Sequence, residues 1–344
     1  MFPISFGSDN HSGVHFTVIA ALQQINTGFC PAYGDDPLTR NVIERLEALF
    51  GGDCAAHLVM TGTGANVLAL QSLIDSYNGI ICAETSHINV DECGAVQKNT
   101  QARLIPVKTP DGKLTPELIA PKLLGNRDQH HSQPKIVSIS QSTECGTLYS
   151  LEELKALADY AHENEMYLHI DGARLANAAV ALDTDLKSMT RDIGADIISF
   201  GGTKNGLLFG EAIISFHPSI TADLKYYRKQ CNQLYSKMRF ISAQYEAYLD
   251  RELWRSSATQ ANKMTALLAE ELKKFPEIKI VRDAVVNSLH VIFPPEWTEP
   301  LREKYMFYTW DESTGEVRLM CSFNSLEDHV REFVRDVKAL AEKS

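Results

Sequence analysis

The most constraining feature of this chain is an alternation. Between residues 36 and 216, short apolar runs take turns with segments of helical periodicity. The strand-like runs are His57 to Met60, Gly79 to Ala83, Ala102 to Val107, Ile136 to Ser140, Tyr167 to Ile170, Asp196 to Phe200 and Gly210 to Phe216. Strands alternating with helices predict an α/β domain with a mostly parallel sheet flanked by helices. Such a sheet binds ligands beyond the carboxyl ends of its strands. The helix signals agree. Asp36 can cap a helix to Phe50, with Pro37 at its first position and Leu38, Val42, Leu46 and Leu49 on one face. Gly64 to Tyr77 is helical, and Ser150 caps a helix over Leu151 to Glu165.

The pattern changes after about Arg239. One long helical stretch, Arg239 to Phe275, leads to strands at Ile278 to Val281, Ser288 to Phe293 and Glu316 to Met320. A last helix starts at Ser325, with Leu326, Val330, Phe333, Val337 and Leu340 on one face. A chain of 344 residues is long for one simple core. The expected division is a large domain over residues 1–245, including the N-terminal segment, and a smaller C-terminal α+β domain over residues 246–344.

Charge and cysteine usage narrow the partners. A net charge of -11 argues against nucleic acid or an anionic membrane as the main partner. The seven cysteines form no C-x-x-C pair and no zinc-spaced cluster, so no metal site is expected and reduced thiols in the cytoplasm fit best. The start, Met1-Phe2-Pro3-Ile4, has no basic n-region and long apolar h-region, so no signal peptide is read. His130-His131 lies in a polar loop and reads as solvated.

Three segments could carry chemistry. Thr61-Gly62-Thr63-Gly64-Ala65-Asn66 follows a strand and opens a helix, so unpaired N–H groups there suit an anion. By itself it equally serves as a tight turn, and it fits neither a P-loop nor a Rossmann fingerprint. In Tyr167-Leu168-His169-Ile170-Asp171-Gly172, an apolar strand ends in an acid, which could also cap the next helix. In Ile197 to Gly206, a strand runs into a Gly-rich loop that holds Lys204 in unusually apolar company. A desolvated lysine is a nucleophilic amine. Anion cup, strand-end acid and lysine, in that order, are what pyridoxal phosphate requires: a phosphate site, a partner for the ring nitrogen and a Schiff-base amine.

These residues resemble the low-specificity L-threonine aldolases, within the aspartate-aminotransferase-like, fold type I pyridoxal-phosphate enzymes and their β-eliminating lyase relatives. The resemblance runs from Gly7-Ser8-Asp9-Asn10 through Tyr33-Gly34-Asp35-Asp36-Pro37, Ser86-His87-Ile88-Asn89 and Asp171-Gly172-Ala173-Arg174-Leu175 to Val317-Arg318-Leu319. It implies that Gly62 and Thr63 bind the cofactor phosphate, His87 stacks on the ring, Asp171 bonds the pyridine nitrogen and Arg174 faces the phenolic oxygen side. Lys204 would be the Schiff-base lysine. Ser8 and Arg318, with Tyr33, would bind the amino-acid substrate, and Lys229, Arg239 and Tyr33 could reach a neighbouring subunit's site in a dimer or tetramer. The chain departs from the family pattern at Gly202-Thr203-Lys204-Asn205-Gly206 and at Ser142-Thr143-Glu144-Cys145, where many members carry Asn-Thr-His-Asn. The catalytic base is therefore open between Glu144, ranked first, His87 and a held water. The implied reaction is aldol cleavage of L-threonine, L-allo-threonine or another β-hydroxy-α-amino acid to glycine and an aldehyde. Rival readings are β-elimination from an aromatic or sulfur amino acid, or a non-catalytic pyridoxal-phosphate or nucleotide-binding protein.

Overall fold

A computed structural model describes residues 4–343. Its larger sheet has seven strands in the order Ala55–Val59, Glu211–Ser215, Ile197–Gly201, Tyr167–Gly172, Gln133–Ser140, Asn78–Ala83, Arg103–Val107. Only Glu211–Ser215 runs against its neighbours; the other pairs are parallel. The connection over residues 202–210 is too short for the crossover that a parallel partner requires, so the chain folds back. The fold class expected from the alternation is the one found.

Register decides what meets at the carboxyl edge. Ser140 pairs with Asp171, and Asp171 with Ser199. These side chains therefore stand abreast on three neighbouring strands. The helix Gly62–Gln71 begins at that edge, because the Thr61 hydroxyl accepts the Gly64 N–H at 3.1 Å. It ends earlier than the expected Tyr77, since Asn78 Oδ1 takes the Asp75 N–H at 2.9 Å and closes a turn instead. The Asp36 and Ser150 caps form as the sequence indicates, the second as a full capping box.

Two further expectations are corrected, and one helix is added. The stretch from Arg239 is two helices, Arg239–Leu249 and Leu253–Leu272, not one. Arg251 (φ 45°) and Glu252 (φ 52°) between them are left-handed, which breaks the α-helical ladder. The turn lets Trp254 and Ala258 face the large core while Leu268 and Leu272 face the smaller one. The helix Phe16–Ile25 is an addition: Val18, Ala21 and Leu22 pack on the large core, while the equally apolar Phe16 and Ile19 stay exposed and blur the stripe in the sequence. Leu326 sits at the cap of the last helix, Glu327–Ala341, and is 53% exposed, whereas Val330, Phe333 and Val337 are buried.

The smaller sheet is antiparallel, in the order Tyr308–Asp311, Glu316–Met320, Ser288–Ile292, Lys279–Arg282. Its core includes Trp297, from a helix Pro295–Arg302, and Phe333. Ile4–Ser5 pairs in parallel with Tyr305–Met306, and Phe6 packs edge-on to Phe333. The start of the chain is thus tied to the C-terminal core. Among the described residues, no helix is long and apolar enough to cross a membrane.

Candidate active site

The carboxyl edge of the large sheet opens into a cavity of about 280 Å3 lined by Thr61, Gly62, Thr63, His87, Asp171 and Lys204, with Phe209 and Glu211 among the other walls. A recess of about 50 Å3 shares Gly62, His87, Asp171 and Lys204 with it and adds Asn66, Glu144 and Arg174. The three segments singled out by the sequence therefore meet in one place.

Asp171 is buried at the end of its strand. Burial opposes its ionisation, but the Ala173 N–H (3.0 Å), the Asn66 amide (2.8 Å) and the positive charge of Lys204 outweigh it and hold the carboxyl below its ordinary value. Asn66 also donates to Glu92 at 2.9 Å and accepts from Ser199 at 3.1 Å. The Asp171 orientation is thus fixed from both sides. A carboxylate has about four lone-pair sites, so the two bonds leave capacity for one more donor from the cavity.

Lys204 lies in a short 3-10 turn, Thr203–Asn205, after the strand Ile197–Gly201. The turn is pinned by Asn205, whose amide reaches the Tyr248 hydroxyl and the Trp254 carbonyl, each at 2.7 Å. Burial lowers the amine's pKa and the nearby Arg174 charge adds to this; Asp9, Asp171 and Glu211 oppose it. Among the described residues the ammonium has no hydrogen-bond partner. Glu211 accepts the Gly202 N–H at 3.0 Å, and burial pushes its carboxyl up to about 7.

His87 opens the helix His87–Val90. Its Nδ1 lies 2.8 Å from Glu92, which raises the ring's pKa against burial. Its backbone N–H donates to Glu144 Oε1 at 2.8 Å, and the Ser140 hydroxyl donates to the same oxygen at 2.7 Å. Burial drives the Glu144 pKa upward, and the Asp171 charge adds to it. Arg174 makes a two-pronged pair with Asp9, at 2.7 and 2.9 Å. Burial alone would raise the Asp9 pKa, but Arg174 and Lys204 bring it down to about 2.

The remaining sequence candidates are not among the residues that line this cavity or its recess. Ser8 caps a short turn and lines a separate cavity of about 260 Å3. Arg318 stacks on Trp310, 5.1 Å from the ring centroid, and burial with the neighbouring Arg174 lowers its pKa to about 10. The Lys229 ammonium lies 4.7 Å from the centroid of the Tyr33 ring, which is 47% exposed. Arg239 donates to the Thr27 carbonyl at 3.2 Å.

Sequence reading gave no role to Asn66, Glu92, Ser199, Asp9 or Glu211. Two of them carried a signal. Asn66 follows the anion cup by one helical turn, and Glu211 is a lone acid opening an apolar strand. Glu92 and Ser199 had none, and Asp9 stood in the Gly7-Ser8-Asp9-Asn10 segment without a role of its own. Among the described residues, no group of three or more histidine, cysteine or carboxylate side chains is arranged to hold a metal ion.

The residues present fit pyridoxal phosphate. Gly62 has open space where a Cβ would stand, so a phosphate can approach the N–H groups of the helix Gly62–Gln71. Across the cavity stand an ionised acid and an unpartnered amine of lowered pKa.

Comparison with known proteins gives the same direction. A protein of a Pseudomonas species, a low specificity L-threonine aldolase, is 38% identical over 97% of this chain and 97% of its own length. A low specificity L-threonine aldolase of Pseudomonas aeruginosa is 38% identical over 97% and 96%. The structure of a Leishmania major threonine aldolase superposes with a TM-score of 0.93 at 28% identity, covering 98% of this chain and all of that one. The sequence model of the β-eliminating lyases matches residues 5–293, and with these relatives it shows that the chain belongs to the β-eliminating lyase and threonine aldolase family.

Proposed function

We propose that this chain is a pyridoxal-phosphate-dependent aldehyde-lyase that cleaves L-threonine, L-allo-threonine and related β-hydroxy-α-amino acids to glycine and an aldehyde. The single observation that carries the reading is Lys204 and Asp171 facing one cavity, the amine without a hydrogen-bond partner and the acid held ionised. When bound, the cofactor supplies an electron sink for the electrons of the breaking carbon–carbon bond.

The chain's own residues do the rest. Asp171, kept ionised, would keep a proton on the ring nitrogen. Lys204, whose pKa burial lowers, would provide the amine that carries the cofactor. The N–H groups at Gly62 and Thr63 would hold its phosphate, and His87 and Arg174, which line the same space, would hold its ring. Arg318 and Ser8 fix the substrate carboxylate, and so set which bond at Cα is aligned for cleavage. Glu144 accepts the β-hydroxyl proton. A buried glutamate of raised pKa suits that task near neutral pH. His87 or a held water is the alternative base.

The same proposal includes a homodimer or homotetramer with shared sites, in which Tyr33, Lys229 and Arg239 serve the neighbouring subunit. It also includes a cytoplasmic location, in keeping with seven free cysteines. The family's name raises β-elimination as a second reading. Product analysis with L-threonine, L-allo-threonine and phenylserine decides. Glycine plus the matching aldehyde is expected; a keto acid plus ammonia would overturn the assignment.

A further inference from the structure

Arg282 lies outside the cavity, yet it touches the segment that carries Glu144. It ends the strand Lys279–Arg282 of the smaller sheet. Its Nε donates to the carbonyl of Cys145 at 3.1 Å. Its Nη2 pairs with Glu316 and lies 3.2 Å from His290 Nδ1. His290 is buried and 2.7 Å from the same Glu316 oxygen. The guanidinium is thus held on one side and grips a backbone carbonyl on the other.

A second observation places this loop against the smaller sheet. Gly146 has φ +74°, and a Cβ there would meet the Ser288 hydroxyl at 2.6 Å. The loop is seated on the strand Ser288–Ile292 so closely that no side chain fits between them. On its other side, Glu144 takes the His87 backbone N–H and the Ser140 hydroxyl on one oxygen. A continuous run of contacts therefore leads from Glu316 through Arg282, the Cys145 carbonyl and Glu144 to His87.

We infer that Arg282 is a positioning residue for the proposed lyase site, fixing Glu144 and, through it, His87 from the smaller sheet. This rests on the proposed function. The same sheet carries Arg318, which pairs in register with His290. Both lie on Trp310, His290 edge-on at 5.2 Å and Arg318 with its guanidinium 5.1 Å from the ring centroid. The groups assigned to the substrate's carboxylate and to its β-hydroxyl are thereby referenced to one rigid element. An arginine suits this place because its planar fork can serve a carbonyl and a carboxylate at once, which a lysine ammonium on a flexible stem cannot do in the same geometry.

The test uses cofactor-loaded Arg282→Lys and Arg282→Met proteins beside the wild type. With L-threonine, kcat is expected to fall about tenfold with KM little changed, the signature of a misplaced reacting group rather than lost binding. In 15N-histidine-labelled protein, the His87 amide resonance, assigned by its absence from His87→Asn, is expected to move in both variants. An unchanged kcat, or an unmoved His87 amide, overturns the inference. If the wild type itself does not cleave threonine, the proposed function fails, and the amide measurement decides the positioning claim alone. Should the methionine variant not fold, the lysine variant, which keeps a cation beside Glu316, carries the test.

Discussion

Two buried aspartates sit at opposite ends of neighbouring strands. Asp171 closes the strand Tyr167–Gly172, and Asp196 immediately precedes the strand Ile197–Gly201. Both are less than a tenth exposed. Their surroundings differ. Asp196 accepts the Leu168 N–H at 2.6 Å, His162 Nε2 at 3.0 Å and His217 Nε2 at 2.7 Å. Its partners are committed to it, and they knit a helix end to two strand ends. Asp171 is held by neutral donors and faces a cation across open space. A buried carboxylate therefore does not mark a site. What marks one is a carboxylate with capacity left over, opposite a charged group that has no partner of its own.

This comparison can be broken or sharpened by experiment, beginning with the largest effect. Lys204→Ala should lower kcat by at least about a thousandfold, because among the described residues Lys204 alone brings an amine to the cavity that Asp171 lines. Absorbance should show the loss of the lysine-bound cofactor. An active, coloured variant would remove Lys204 from the mechanism. Asp196→Ala should do the reverse. It leaves a buried N–H and two imidazoles without their acceptor, which costs about 3 kcal/mol of stability by urea titration, while kcat per folded site stays within about twofold of wild type. A large fall in kcat there would erase the contrast between the two ends of the sheet.

Asp9 adds a pH dependence. Its folded pKa of about 2 lies below the ordinary 3.8. The ionised form is thus favoured by folding, so its contribution is complete above about pH 4 and is lost as the pH falls toward about 2. The difference amounts to about 2 kcal/mol, to be read from urea titrations of wild type and Asp9→Asn across that window. Equal acid sensitivity of the two proteins would exclude it. The smallest effect is that of Glu144→Gln, which should lower kcat about tenfold while cofactor stays bound. Unchanged turnover would pass the role of base to His87 or a water.

Much of the architecture was legible in the residues. The apolar runs from His57 to Phe216 gave the strands, and the caps at Asp36 and Ser150 gave helix starts, because a cap is a contact over three residues. The break at Arg251 and Glu252 was not legible, because the apolar pattern continues across it and neither residue is a glycine or proline. The helix Phe16–Ile25 was not legible for another reason: Phe16 and Ile19 on its exposed side are as apolar as Val18 and Leu22, which pack on the core, so no single stripe stands out.

What the sequence determined by itself is local: which runs become strands, where helices are capped, and that an anion cup, a strand-end acid and a lysine in a glycine-rich loop follow one another. The tertiary structure alone decided the company these groups keep. Strand register set Ser140, Asp171 and Ser199 abreast. The return of the strand Glu211–Ser215 brought Glu211 to the wall of the cavity that Lys204 lines, and the smaller sheet brought Arg282 to the Cys145 carbonyl. Such contacts join residues far apart along the chain, so their energies depend on packing and burial that no local stretch of sequence encodes.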